Sequence, residues 1–429
     1  MSATAIGSHA HGEDRPVSLD RRVLALGAAR LADSFGNALL IVVLPLYVAS
    51  ERVGGPKLGL SVAVVSGAIL AAFGVFDSAV QPFAGRWSDR AGKRRAFVLG
   101  GLVVLAVTNA AFAGAHTYLE LFAVRAVQGL GVGATVTASV ALINEYSTPD
   151  DRGVNFGVFN ALRLVGFGLG PVVGGVLVGG GSYDVLGHVV SGFGASFAVA
   201  AVAAAVGLVV VVALVRDPES TSAAAANDLN IAVFDGDGGL DPVFALGLAT
   251  FVVALGIALF ASIEPAINAR LGQGAEAFGL EFGVFVAAFV LTQPVAGRLS
   301  DRFGRRGFVV AGLVLAAPAL VAQGFAATPV EMAVLRGVQG VGAAMAFGPA
   351  LALAGDYASG GDDATRLSVL TMAFGLGAGV GPIVAGPLAR YGFDVPFVVA
   401  ALLSVAGAVV VHTQVGDVDP PGAEAAVDD

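Results

Sequence analysis

No cysteine occurs among the 429 residues, which excludes disulfides and thiolate metal sites. Lysine is scarce as well: Lys57 and Lys93 are the only two of 23 basic residues, and Trp87 is the single tryptophan. Charged residues make up 13% of the chain, against about 25% in a soluble domain. What fills the space is apolar: 56% of residues are hydrophobic and the mean hydropathy is +0.83. A soluble fold has no means of hiding that much apolar surface, whereas a bilayer accepts it as solvent. The five histidines are scattered; His9 and His11 alone are close, in a polar leader that reads as a solvated tail. Neither a metal site nor a cofactor is expected, and no nucleophile–base–acid set points to an enzyme. The formal charge is −9, with the acids mostly in termini and loops; together with scarce lysine this is the composition of a salt-adapted protein. Residues 1–22 lack an apolar core, so no cleavable signal peptide is expected and the first span serves as an uncleaved anchor.

A spanning helix needs roughly 20 mostly apolar residues. Twelve such runs are found, at 23–48, 60–84, 96–115, 118–143, 154–179 and 188–215, then at 242–265, 277–297, 307–326, 329–354, 366–389 and 392–413. The organisation is then a leader at 1–22, a six-helix bundle at 23–215, a polar acidic linker at 216–241, a second bundle at 242–413 and an acidic tail at 414–429. With the N-terminus inside, the inner segments hold 15 basic residues and the outer loops hold 4. That bias places both termini in the cytoplasm of a multi-pass protein of the cell membrane.

The chain writes one charged phrase twice. Gly85–Arg95 reads GRWSDRAGKRR, and Gly297–Arg306 reads GRLSDRFGRR. The pair Gln81–Pro82 and its copy Gln293–Pro294 share the same offset of 212. Farther on, Arg125, Gln128 and Gly129 recur as Arg336, Gln339 and Gly340, Glu145–Tyr146 as Asp356–Tyr357, and Gly170–Pro171 as Gly381–Pro382, all at an offset of 211. Spans two to five therefore repeat as spans eight to eleven, and parallel repeats place a binding site at their interface near mid-membrane. Gly85, Asp89, Arg90, Gly92, Lys93 and Arg94, echoed by Gly297, Asp301, Arg302, Gly304, Arg305 and Arg306, resemble the loop signature of the major facilitator superfamily. Arg125–Gln128–Gly129 resembles its span-four motif. Gly166, Gly170, Pro171, Gly174 and Gly175 resemble the span-five motif of its antiporters, which together look like the twelve-helix drug:proton antiporter branch. The resemblance implies an all-α membrane protein with twelve transmembrane helices in two parallel-repeat six-helix bundles. It also implies that the signature carboxylate belongs to a charge network that latches the cytoplasmic side shut. From the residues themselves, Gly85 and Gly92 suit a tight reversal and Asp89 can accept from arginines or helix-start N–H groups. A basic loop that only fixes topology is the alternative.

Charges inside spans cost about 2.5–3.5 kcal/mol on insertion scales and face a cavity or a partner. Arg30, Asp33 and Asn37 stack on one face of span one. Arg125 with Gln128, and Asn160 with Arg163, form similar stripes, and Asp77 lies in the inner part of span two. These predict a central polar cavity in which Asp33 titrates or contacts a cation and Arg125 tunes it by proximity. Salt bridges that merely hold helices together are the alternative. Arg336 serves packing or a cavity lining. Glu264 reads as an interfacial charge at the outer end of span seven, with an exterior gate as the alternative. The glycine runs at 129 and 166 lie inside apolar spans, follow no strand and lack a Lys-Ser/Thr ending, so they are not nucleotide loops; their small residues allow close helix approach, and Pro171 can bend span five. The expected function is a secondary transporter working by alternating access, active as a monomer: proton-coupled (or sodium-coupled) efflux of a small organic solute, of the multidrug type. Uptake or exchange of an organic anion or sugar, and a non-transporting sensor, are the alternatives. Lipid, a small-molecule substrate and the coupling ion are the partners; no nucleic acid is expected.

Overall fold

Among the described residues, twelve helices are long and apolar enough to cross a membrane. The structure, a computed structural model, describes residues 20–56, 59–148, 151–218, 233–235, 238–357 and 363–416, with no side-chain description at Asp89 and 363–368. Residues 1–19 of the leader, part of the linker and residues 417–429 of the tail lie outside the described residues. The first half is α1 (Arg21–Ala49), α2 (Val62–Ala91), α3 (Arg94–Ala111), α4 (Tyr118–Tyr146), α5 (Arg152–Gly179) and α6 (Gly192–Leu214). The second is α7 (Pro242–Ser262), the short α8 (Glu264–Leu271), α9 (Ala275–Phe303), α10 (Arg305–Phe325), α11 (Pro329–Asp356), α12 (Asp363–Leu388) and α13 (Val395–Gln414).

Helix starts are written in the local sequence. Asp20 caps α1, accepting from the Arg22 amide at 2.8 Å. Thr117 and Glu120 close a reciprocal capping box on α4, and Thr328 with Glu331 repeats its parts on α11. Each satisfies backbone donors that the first turn leaves orphaned. Asp241 caps α7, with Pro242 in the first turn, where a proline costs no hydrogen bond.

Three details differ from the sequence expectation. The α5–α6 connection folds into a hairpin of β1 (Ser182–Val185) and β2 (His188–Ser191), antiparallel with Ser182 opposite Ser191, so span six starts at Gly192 and not at 188. Span seven does not run unbroken to 265: it stops at Ser262, and α8 restarts at Glu264 because Pro265 lacks the N–H that would continue the ladder. The signature phrase is mostly helix. Gly85 lies within α2, against Thr137 of α4, and Gly297 lies within α9. Only Gly92 (φ 59°) and Gly304 (φ 96°) take the left-handed backbone that makes the reversal.

Within the first half, α1 packs on α5 and α6, α4 on α2 and α3, and α3 on α6; in the second, α7 packs on α12 and α13, α11 on α9 and α10, and α10 on α13. α1 and α7 are the most enclosed spans. The glycine stripe of α5 explains how α1 comes so close. A Cβ at Gly170 would lie 2.5 Å from the Phe35 carbonyl oxygen and one at Gly174 3.0 Å from that of Leu39. Gly381 of α12 repeats this against the Leu255 carbonyl oxygen of α7, at 2.8 Å. Small residues let backbones approach where lipid supplies no hydrophobic drive.

The halves meet along two seams, α2 with α12 and α5 with α9. On the first, Gly67 abuts Pro382, Gly386 abuts Val64, and Ser78 reaches Gly375. On the second, Gly175 abuts Ala275, Gly279 abuts Pro171, and the Phe167 and Phe282 rings meet edge to face at 5.6 Å. These contacts lie at mid-height or toward the end remote from the signature turns. Nearer those turns, Gly153 and Gly157 of α5 and Gly297 of α9 border open space. The seam contacts named here thus close the remote end, and the signature end, which none of them holds, is the parted one.

Candidate functional site

Each residue of the stripe on α1 finds a different kind of partner. Arg30 donates through Nη1 to Asp33 Oδ2, forming an ion pair one helical turn apart. The other carboxylate oxygen of Asp33 is buried and accepts nothing. Arg163 of α5 lies within electrostatic reach of both Asp33 and Arg30, and its Nε donates to Asn160 Oδ1 at 2.9 Å. Asp77 of α2 completes the group: it lies within electrostatic reach of Arg30 and Asp33, and accepts from Gln81 Nε2 at 3.2 Å. Three helices thus bring two acids and two bases together. Asn160 is exposed, and Arg30, Asp77 and Arg163 are half-buried, so the cluster is reached from the parted side.

Arg125 does not join this cluster, contrary to the expectation that it tunes Asp33. Its Nη1 donates to Asn37 Oδ1 at 3.1 Å and to Gln128 Oε1 at 2.6 Å. Gln128 Nε2 donates to Asn109 Oδ1 at 2.7 Å, and Asn109 Nδ2 to the Ala200 carbonyl at 3.2 Å. The guanidinium sits 4.7 Å from the Phe73 ring centroid, a cation–π placement. The physical reason is reach. Asn37 is one turn beyond Asp33 toward the sealed end, and the amide relay draws Arg125 across α1, α4, α3 and α6. Asn109 was missed from sequence because one amide in an apolar span has no spacing to mark it.

The second half builds the same relay with other parts. Arg336 Nη1 donates to Gln339 Oε1 at 2.7 Å, Gln323 Nε2 donates to that same oxygen at 3.1 Å, and Gln339 Nε2 donates to the Gly256 carbonyl at 3.0 Å. No polar side chain of α7 meets this arginine; instead the rings of Phe260, Phe285 and Phe282 surround its guanidinium carbon at 4.2, 4.6 and 5.3 Å. Glu264 is wholly buried, not interfacial as the sequence suggested: the break before α8 turns it inward. Glu281 of α9 is buried as well; the sequence reading passed over it because it lies alone among apolar residues.

At the signature turns, the side chain of Asp89 lies outside the described residues, as does that of Arg366. Arg94 pairs with Glu145, and Arg305 bridges Asp301 at 2.9 Å and also pairs with Asp356. Arg94 and Arg305 each open their helix, so they correspond at an offset of 211, and Lys93 is the extra residue of the first copy. The change of offset from 212 to 211 is thereby located, and Lys93 is not the counterpart of Arg305. The next arginine in each copy secures the last helix of its half. Arg95 Nη2 donates to the Val212 carbonyl at 2.8 Å, and Arg306 donates to the His412 carbonyl. Tyr146 and Tyr357 donate in turn to the carbonyls of Arg216 and Gly416.

Quinolone resistance protein NorA of Staphylococcus aureus is 31% identical over 142 residues, 33% of this chain and 34% of that protein. Citrate exporter 1 of Aspergillus niger is 38% identical over 94 residues, 22% of this chain and 18% of that protein. The chain therefore spans about a third or less of each of these relatives. Among solved structures, the D-xylose–proton symporter superposes with a TM-score of 0.74 at 17% identity, covering 92% of this chain and 98% of that one. A bacterial homologue of the human lysosomal transporter Spinster, in an inward-facing and unoccupied conformation, superposes at 0.70 and 17%, covering 93% and 95%. The sequence model of the Major Facilitator Superfamily matches residues 26–233 and 246–426. With its twelve candidate spans, duplicated signature and two seamed halves, the chain belongs to the Major Facilitator Superfamily of membrane transporters.

Proposed function

We propose that the protein exports a small, lipophilic organic compound from the cytoplasm in exchange for protons, working as a monomer in the cell membrane. The observation that carries this reading is the balanced cluster of Arg30, Asp33, Asp77 and Arg163, with one buried oxygen of Asp33 left unpartnered. A buried carboxylate opposed by nearby arginines exchanges its proton against rearrangement of those charges. In the inward-open form the cluster meets substrate from the cytoplasm, where both termini and the linker at 216–241 lie. When the seams part on the far side, the same group meets external water, takes up a proton and releases the substrate. Arg30 and Arg163 hold Asp33 in place; the Arg125 relay fixes the helices that carry them. The partial likeness to a quinolone resistance protein points the same way.

The energetics suffice. One proton brings about 2.3 kcal/mol per 100 mV of membrane potential and about 1.4 kcal/mol per pH unit. About 1.4 kcal/mol supports a tenfold solute gradient. Against anion uptake stands the engagement of the first half's in-span arginines: Arg30 by Asp33, Arg125 by Asn37 and Gln128, Arg163 by Asn160. The test is a panel of lipophilic organic compounds in reconstituted vesicles with an imposed pH gradient. Export of at least one compound with proton counterflow, lost in Asp33→Asn, is the expected result. Unchanged export in Asp33→Asn removes this carboxyl from the mechanism, and no compound-dependent proton movement removes the antiport.

A further inference from the structure

The second half holds a set of charges that the mechanism above leaves unused. Glu264, at the start of α8, and Glu281, on α9, are 0% and 1% exposed. None of their four carboxylate oxygens has a hydrogen-bond partner. The amides of Asn268 and Gln273 lie beside Glu264 and Glu281 respectively, but do not meet either carboxylate with hydrogen-bond geometry; Gln273 instead donates to Asn268 Oδ1 at 3.1 Å. The two carboxyls interact with each other, and Glu281 interacts with Arg336 of α11, whose Nε and Nη2 are also buried and unpartnered. Phe260, Ile263, Ile267 and Phe278, close to them in sequence, belong to one buried apolar cluster. Among the described residues, no other charged group faces the pair: Arg270 of α8 stacks on the Phe393 ring, Glu276 of α9 is exposed, and neither α1, α5, α7 nor α10 presents a charge to it.

The balance of charge decides what such a set holds. One guanidinium compensates one carboxylate. A second carboxylate, buried with only a neutral amide beside it, is far too costly to keep ionised, and two interacting carboxyls titrate as a pair. We propose that Glu264 and Glu281, opposed by Arg336, form a proton-binding site in the second half that holds a single exchangeable proton while the remote end is sealed. The site stands beside that seal, where α5 abuts Ala275 and Glu276 at the start of α9. Opening the seam admits external water to the pair, so the carboxyl proton exchanges with the outer medium there and the site closes again with its one proton bound. The inference extends the proton-coupled reading above and gives each half its own carboxyl.

Its test uses no substrate, so it stands or falls apart from the export assay. Full-length protein in lipid nanodiscs is examined by infrared spectroscopy at neutral pH, reading the band of protonated carboxyl groups. Glu264→Gln and Glu281→Gln each leave one acid against one arginine and are expected to abolish the band of the pair, while Asp33→Asn leaves it in place. Arg336→Gln leaves two acids and no base and is expected to double it. Glutamine matches a protonated glutamic acid in shape, and a single symmetric size-exclusion peak checks folding of each variant. A band unchanged in both glutamate variants overturns the proposal. Loss of the wild-type band when sodium chloride replaces choline chloride overturns it differently, by assigning the site to a metal cation.

Discussion

The two halves carry one plan and spend their charges differently. In the first, Arg125 is met by Asn37 from α1, and the acids and bases of Arg30, Asp33, Asp77 and Arg163 crowd toward the parted end. In the second, α7 offers no such amide, Arg336 is wrapped in three phenylalanine rings, and the acids Glu264 and Glu281 sit toward the sealed end. The relay of arginine, glutamine and a third amide (Asn109 or Gln323) is common to both. What a duplicated scaffold preserves is thus the polar tie between helices, while the titratable groups have moved to opposite ends of the two bundles. A pair of sites at different depths suits a carrier that must open to one side at a time.

Several substitutions break or sharpen that comparison. The largest effect is expected of Asp33→Asn, which is to abolish pH-driven transport in vesicles while surface expression stays intact; among the described residues the second half has no acid at the equivalent depth to replace it. Next comes the ion pair of the first signature turn. Arg94 and Glu145 are buried, with side chains 4% and 6% exposed, whereas Arg305 and Asp356 are 27% and 28% exposed. Glu145→Gln removes the carboxylate of a buried pair and is expected to cost about 3–5 kcal/mol of stability, against about 1 kcal/mol for Asp356→Asn in the more exposed pair, both read from denaturant unfolding in detergent. Equal costs would mean the turns are not differently buried in solution. Intermediate in size is Gln128→Leu, which removes one acceptor from the buried Arg125 and the donor to Asn109 Oδ1, at an expected cost of about 1–3 kcal/mol. The smallest is acid titration of Asp20, outside the spans. Burial raises this carboxyl, but the hydrogen bonds and charge of Arg22 outweigh it and hold it below the usual carboxylate range. Its stabilising contribution is present above the ordinary carboxylate range and fades as pH falls through the lowered value; Asp20→Asn should flatten that acid limb slightly.

The fold was legible because its signals are long or repeated. Twelve apolar runs, a charged phrase written twice and paired glycines survive errors of several residues in any boundary. Legible too were Arg30 and Asp33, since their spacing places them on one helix face. What stayed hidden depends on rotation and on breaks. Arg125 turned to Asn37 because the relay beyond it, through Asn109 on another helix, pulls it there. Glu264 looked interfacial by its distance along the span, and only the interruption at Pro265 buries it. Glu281 carries no motif at all, and its importance is its lack of partners, which no spacing records. Within the signature phrase, helix runs through Gly85 and Gly297, so the reversal needs a single glycine in each copy and not two.

The clasps at the ends of α6 and α13 have a consequence for how the polypeptide can be cut. Arg95 and Tyr146 fasten the last helix of the first half to its own bundle, and Arg306 and Tyr357 do the same for the second. Each bundle is thereby fastened from within, at residues outside the stretch between Pro218 and Val233. Severing the backbone between Pro218 and Val233, or expressing the two pieces as separate polypeptides, should still yield a working pair.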